Sequence, residues 1–267
     1  MTTGEDHQLL RPWPEGPGVG VSVVITTRHG GVSDGPYDSL NLGLQVGDDP
    51  IRVATNRERA ARAFGVPLDQ TVFAQQVHGA RAAAVGPAEH GLGTRSMDDA
   101  VPSTDILVTT AVGTTLVMLV ADCVPLALVD PEARVLAVVH AGWRGTAAGA
   151  ITRALGEMGR HGGRPDRTTA FLGPGVHPDR YQVSDEVRLA LARAVAPRPL
   201  DPGVARPDAP DHWLVDLVAA NRQQLIHAGV DPECIFDSGT TTADGDHFSD
   251  RATRPCGRFA LMARLLP

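Results

Sequence analysis

Cys123, His140 and Arg144 stand in one short stretch, residues 116–151, LVMLVADCVPLALVDPEARVLAVVHAGWRGTAAGAI. A thiol and an imidazole at one end of a sheet suit metal ligation or nucleophilic catalysis. An arginine between glycines at the start of a helix suits anion binding, through free amides and a guanidinium. The pattern predicts how these residues meet. Leu116 to Val129 is too long an apolar run for one strand. It breaks at Asp122-Cys123-Val124-Pro125 into a strand, a polar kink and a second strand from Leu126 to Val129. Asp130-Pro131-Glu132 is turn chemistry, and Arg134–Val139 reads as the return strand of a hairpin. Cys123 then precedes one strand and His140 follows the other, side by side. The loop Ala141–Thr146 leads into a small-residue helix over 146–159, with Thr146 as its N-cap. Singly, each residue has an ordinary structural reading, a core cysteine or a capping histidine. Together at strand ends they mark a site.

The rest of the chain supplies the frame. Strands are expected over Val21–Thr27, Val72–Val77, Asp105–Thr110, Thr168–Leu172, Cys234–Phe236 and Phe259–Leu265. Helices are expected from Asp49-Pro50 to Phe64, from Ser184 to Val195, and over Asp216–Ala228 closed by Gly229. Residues 86–103 read as a flexible loop, 196–212 as an exposed proline-rich loop and Thr240–His247 as a polar turn. No strict βαβ rhythm, internal repeat or linker appears. The expectation is an α+β (mixed α/β) fold: a single domain over 19–267 with a mixed sheet, and a flexible N-terminal tail over 1–18.

Composition narrows the chemistry. The 267 residues carry a net charge of −7 and 42% apolar content, which fits a sizeable core and argues against nucleic acid or an anionic membrane surface. No apolar run reaches the ~20 residues of a membrane span. The opening residues lack a basic segment followed by an apolar core, so no secretory signal is expected and a cytoplasmic location is. All 24 basic side chains are arginine, which removes Schiff-base, Walker-loop and Ser-Lys chemistry at once. Three cysteines, an odd and small number, fit a reducing compartment.

Two further histidines end strand candidates beside glycine: His29 in Arg28-His29-Gly30-Gly31 and His78 in Gln76-Val77-His78-Gly79. With His78, Cys123 and His140 in view, two imidazoles and a thiolate suit Zn²⁺ and leave its fourth position open.

These motifs have a family likeness. The chain resembles the YfiH family, also called the laccase-domain or polyphenol-oxidase family, through TTRHGGVS at 26–33, PYDSLNLG at 36–43, GDDP at 47–50, QVHG at 76–79, ADCVP at 121–125, HAGWRGT at 140–146 and FLGPGV at 171–176. The likeness covers nearly the whole chain. It implies a zinc site at His78, Cys123 and His140 and a fold of central mixed β-sheets flanked by helices; at that site Cys123, His140 and Asp122 are the expected catalytic residues. It further implies phosphorolysis of purine nucleosides (adenosine, inosine, guanosine, methylthioadenosine) and deamination of adenosine to inosine, so purine nucleosides and phosphate are the expected small-molecule partners. Within that reading, Arg144 and Arg28 are candidate phosphate clamps, Ser33 and Asn41 lesser ones, and Asp122 or His29 a proton shuttle. The rivals are a metal-free Cys123–His140 amide hydrolase, deamidase or peptidoglycan-precursor editing amidase, and a nucleotide-sensing binding protein. The tail departs from the family's FFSxRRD: it reads His247-Phe248-Ser249-Asp250-Arg251-Ala252, without the second arginine and the acid. The laccase name meets a chemical objection. A multicopper oxidase needs about ten histidines in paired HxH motifs, whereas this chain has ten in all and no HxH.

Overall fold

We describe residues 9–12 and 20–267 of a computed structural model of the chain. The expected architecture is present: one domain built on mixed sheets. A five-stranded sheet has the order β1 (Leu10–Pro12), β2 (Val21–Thr26), β14 (Phe259–Leu265), β6 (Thr115–Val120), β3 (Thr71–Val72). A six-stranded sheet has the order β13 (Ile235–Asp237), β9 (Thr169–Leu172), β7 (Val124–Asp130), β8 (Val135–Ala141), β5 (Ile106–Thr109), β4 (Ala82–Ala84). Only β3–β6, β4–β5 and β9–β13 pair in parallel within these two sheets.

Period-two side-chain alternation makes these layers. On β6, Leu116, Met118 and Val120 point into the core between the two sheets. Val117 and Leu119 point the other way, under helix α1 (Pro50–Ala63). On β8, Leu136 and Val138 face the inter-sheet core, while Val135, Ala137 and Val139 face a third core. That core lies under α3 (Ala150–Arg160), α4 (Asp185–Ala194) and α5 (Leu217–His227). Both faces of each sheet are thus covered, which is why 116–139 reads as nearly unbroken apolar sequence.

Several boundaries differ from expectation. Within the expected N-terminal tail, Leu10–Pro12 is a strand paired with Thr26–Val24, and Leu9 O accepts from Thr27 N; residues 1–8 and 13–18 lie outside the described residues. The helix expected over 146–159 is two helices, α2 (Trp143–Ala147) and α3, separated by Gly149 in the left-handed region at φ 76°. Thr146 therefore caps nothing. Its side chain meets Asn221 and its carbonyl accepts from Gln224 Nε2. Residues 86–103 are irregular but tied down: Arg57 donates to the carbonyls of Gly93 and Thr94, and Gly93 N donates to Asp99. The expected loop 196–212 holds a strand, β11 (Ala205–Ala209), which pairs with β12 (His212–Val215). Together with β10 (Gln182–Ser184) they form a third sheet whose proline and arginine content hides the strand pattern.

The β7–β8 hairpin that carries Cys123 and His140 is locked at its turn. Asp130 is fully buried; its carboxylate accepts from the amides of Glu132, Ala133 and Arg164 and from Arg167 Nε, at 2.9–3.0 Å. Burial pushes its pKa up, but these donors and the Arg167 charge outweigh it and hold it below the usual value. A depressed carboxyl stabilises the fold above its unfolded pKa, about 3.9, and that contribution fades as the pH falls through the folded value. Asp130→Asn should cost about 3 kcal/mol at neutral pH, with the gap from wild type narrowing below pH 4. Urea unfolding across pH checks both; a gap that does not depend on pH would contradict the charged role.

Candidate active site

The site lies where the inter-sheet core reaches the end of the sheets. His140 sits inside β8, opposite Pro125, and not beyond the strand as the sequence suggested; Cys123 immediately precedes β7. His78 follows a strand that stops at Val72, five residues short of the expected end, so another device must place it. That device is Gln76. Its amide donates to Leu119 O at 2.7 Å and accepts from Leu119 N at 2.9 Å, continuing the β3–β6 ladder with a side chain.

Asp105, just ahead of β5, completes the placement. It is fully buried and accepts from the amides of Val77, His78 and Gly79 at 2.8–3.3 Å. The same carboxylate meets His140 Nδ1 at 2.8 Å. Burial raises its pKa, but the His140 contact and these amides outweigh it and hold it low. One carboxylate therefore fixes the His78 loop and orients the His140 ring with Nε2 facing away. This is the outer partner that metal-ligating histidines commonly have.

The donor atoms of His78, Cys123 and His140 all lie within 4.8 Å of one another. The two rings are edge to face with centroids 4.8 Å apart. Tetrahedral zinc wants such donors about 3.5 Å apart, so small movements close the set on one ion. His140 is buried, Cys123 half-buried and His78 exposed, which leaves the open side at His78. Space for the thiol depends on Gly142, where a Cβ would stand 2.7 Å from Cys123 Sγ and 3.3 Å from His78 Cδ2. Burial alone would raise the Cys123 pKa and lower that of His140. Their mutual attraction, with Asp105 behind the imidazole and His78 beside the thiol, reverses both shifts. The pair leans toward thiolate and imidazolium.

Asp122 occupies the left-handed region at φ 85°. Its carboxylate accepts from Thr242 Oγ1, Ser249 Oγ and the Arg251 amide. These three contacts tie the FSDR segment to the residue before Cys123. His29, the other shuttle candidate, pairs with Asp246 at 3.1 Å. Arg28 gives two hydrogen bonds to Asp38 O and lies over the Phe248 ring. Ser33 and Asn41 are buried, both donating to Asp48 and joined by Asn56. These three expected phosphate contacts instead knit the 28–48 loops together. Arg144 differs: its guanidinium stacks on Trp143 at 4.4 Å, the residue is exposed, and its side chain makes no hydrogen bond to another described residue.

Two site residues escaped the sequence reading. Asp105 looked like the first residue of a strand; an acid directly before four apolar strand residues was the available signal. Tyr181 had none. Burial raises its phenol pKa, and the charges of Cys123, Arg251, Asp122 and Arg144 act on it, which places it among the site groups. Arg251 reaches the carbonyls of Arg180 and Gln182 on either side of it.

With this geometry, comparison is informative. A family model described as multi-copper polyphenol oxidoreductase laccase matches residues 22–265. The chain belongs to this family. Among relatives, purine nucleoside phosphorylase YlmD of Geobacillus stearothermophilus is 38% identical over 242 residues, covering 89% of this chain and 87% of the relative. Purine nucleoside phosphorylase ORF3 of Streptomyces griseus is 40% identical, covering 88% and 91%. The crystal structure of the Geobacillus protein superposes with TM-score 0.92 at 36% identity over 97% of each chain. That of a Bacillus licheniformis YfiH protein gives 0.88 at 31% identity over 92% of each. The copper in the family description finds one counterpart among the described residues, the single His₂Cys group. No described helix is long and apolar enough to cross a membrane.

If Asp105 organises a metal site, Asp105→Asn should weaken metal affinity about 10- to 100-fold. Gly142→Val should abolish binding by displacing the Cys123 thiol. Competition with a chromogenic chelator reads both; wild-type affinity in either variant would remove Asp105 or Gly142 from the site.

Proposed function

We propose that this chain is a zinc-dependent purine nucleoside phosphorylase that also deaminates adenosine. The observation that carries the reading is the His78–Cys123–His140 group, organised by Asp105, on a fold shared with relatives named for that phosphorolysis. The donor set fits zinc: two imidazoles and a thiolate that leans anionic, with a carboxylate behind one ring and a glycine leaving room for the sulfur. Zinc held there would supply Lewis-acid activation of a water or a substrate oxygen.

The protein's own groups do the rest. Asp105 holds His140 in one orientation. Arg144, braced on Trp143, offers an unspent guanidinium to phosphate. In phosphorolysis a phosphate oxygen bonds to the ribose C1′ as the C1′–N bond breaks, and the purine leaves with the electron pair and takes up a proton. Arg28, Ser33, Asn41 and Asp122 support the surrounding loops. In deamination, water adds to the purine carbon and ammonia leaves.

The test is to incubate the purified chain with adenosine, inosine, guanosine or methylthioadenosine, with and without phosphate, and to measure its zinc. Base and ribose 1-phosphate (from methylthioadenosine, the methylthioribose 1-phosphate) should form only with phosphate, and inosine should form from adenosine without it. Cys123→Ala should lose zinc and both activities. Arg144→Ala should raise the KM for phosphate at least about tenfold with zinc content unchanged; unchanged phosphate saturation would remove Arg144 from the clamp.

One observation favours a second reading. Cys123, His140 and Asp105 follow one another as nucleophile, base and orienting carboxylate. Amide hydrolysis by zinc-free protein, blocked by iodoacetamide at Cys123, would establish that reading and displace the first. Tight purine binding with no turnover of either kind would leave a sensing module.

A further inference from the structure

Tyr181 is held beside Cys123 by a loop fastened at both ends to Asp122, the residue before the cysteine. At one end Val176 N donates to Asp122 O at 2.9 Å. At the other, Arg251 donates its amide to Asp122 Oδ2 and its guanidinium to the carbonyls of Arg180 and Gln182, the two neighbours of Tyr181 in the chain. The backbone of Tyr181 is fixed as well: its N–H donates to Pro178 O and its carbonyl accepts from Val215 N, each at 3.1 Å. Its ring packs on the core beneath α3, α4 and α5, with the Arg251 guanidinium carbon 5.8 Å from the ring centre.

The phenol held in this way has no task inside the protein. The residue is half-buried, and its hydroxyl makes no hydrogen bond to another described residue. Unlike orphaned polar atoms sealed in the interior, such as Thr115 Oγ1, it keeps contact with solvent. Burial and the Cys123 charge push its pKa up, so it stays protonated and is a donor at any working pH. Arg144 shares this neighbourhood. Its helix α2 packs against α4, which begins directly after Tyr181 and β10, and its charge is felt at the phenol. Other donors near Cys123 are committed: the Thr242 and Ser249 hydroxyls to Asp122, the Arg251 guanidinium to carbonyls. The Arg144 guanidinium and the Tyr181 hydroxyl are not. A cation would meet the Arg144 charge, and an apolar group would leave the phenol unmet. An oxyanion with several oxygens satisfies both.

We propose that Tyr181 is a second hold on inorganic phosphate, its hydroxyl donating to one phosphate oxygen while Arg144 takes others. The identity of the anion rests on the phosphorylase reading; the arrangement itself calls for an oxyanion beside Cys123.

The experiment reads fluorine resonances of the purified full chain carrying 3-fluorotyrosine in place of tyrosine. The chain has two tyrosines. Tyr37 donates to Val46 O and serves as the internal control. Tyr181→Phe assigns the pair. Millimolar inorganic phosphate should move the Tyr181 resonance saturably and leave that of Tyr37 in place, and sodium chloride of equal ionic strength should move neither. Arg144→Ala should raise the phosphate needed at least about tenfold. Tyr181→Phe keeps the ring beside Arg251 and removes only the hydroxyl. It should raise the KM for phosphate in inosine phosphorolysis about tenfold, with the KM for inosine and the zinc content unchanged. The proposal is overturned if phosphate leaves the Tyr181 resonance unmoved, if chloride moves it equally, or if Tyr181→Phe saturates with phosphate like wild type. It is equally overturned if the KM for inosine rises instead, which would put the hydroxyl on the nucleoside, or if zinc is lost, which would make Tyr181 a structural support. A phosphate-shifted resonance in protein that turns over no nucleoside would leave the oxyanion hold standing without the phosphorylase reading. Turnover with an unmoved resonance would do the reverse.

Discussion

The Asp105 carboxylate is the contact on which the rest depends. It is buried, charged, and answered by four donors from two segments remote in sequence, the 77–79 loop and His140. A buried carboxylate persists only when its lone pairs are met, so the charge binds its own donors into one arrangement. His78 takes φ 60° in that arrangement, a conformation held by the hydrogen bond its backbone N–H donates to Asp105. Asp122, at φ 85°, is a second such residue at the site, and it too is held through its carboxylate, by three donors. The two acids thus flank the thiol and imidazoles as supports.

Layering explains why these groups meet where they do. His140 lies on the same face of β8 as Leu136 and Val138, the face that looks across at the five-stranded sheet. Over most of its length that space is filled by apolar side chains from both sheets. Only at the sheet end, where β3 has stopped and the chain kinks before β7, can polar groups enter and still find partners.

Much of this was legible because it is local. The hairpin from Val124 to Ala141 announces itself by two Val- and Leu-rich runs around Asp130-Pro131, and its closure puts Cys123 beside His140. The helices with good caps, Asp49 ahead of α1 and Asp216 ahead of α5, fell where their capping chemistry placed them. What was illegible is relational. Ser33, Asn41 and Arg28 have the right types for phosphate, but their polarity is spent on Asp48, Asn56 and Asp38, partners that only the folded loops bring near. Gln76 looked like part of a strand and instead replaces one. Ala205–Ala209, ARPDA, forms a strand whose sequence is too polar and proline-broken to show the alternation.

The placement of β14 carries a consequence for how the molecule comes into being. Residues 259–265 lie between β2 and β6 and pair with both, so the five-stranded layer has no continuous ladder until they arrive. During synthesis, β2 and β6 emerge long before their shared neighbour and must wait with open edges. The hairpin bearing Cys123 and His140 can close early from contacts within itself. The Phe248-Ser249-Asp250-Arg251 segment that steadies Asp122 is made just ahead of the missing strand, so the surroundings of Cys123 and the sheet beneath them reach completion at nearly the same moment.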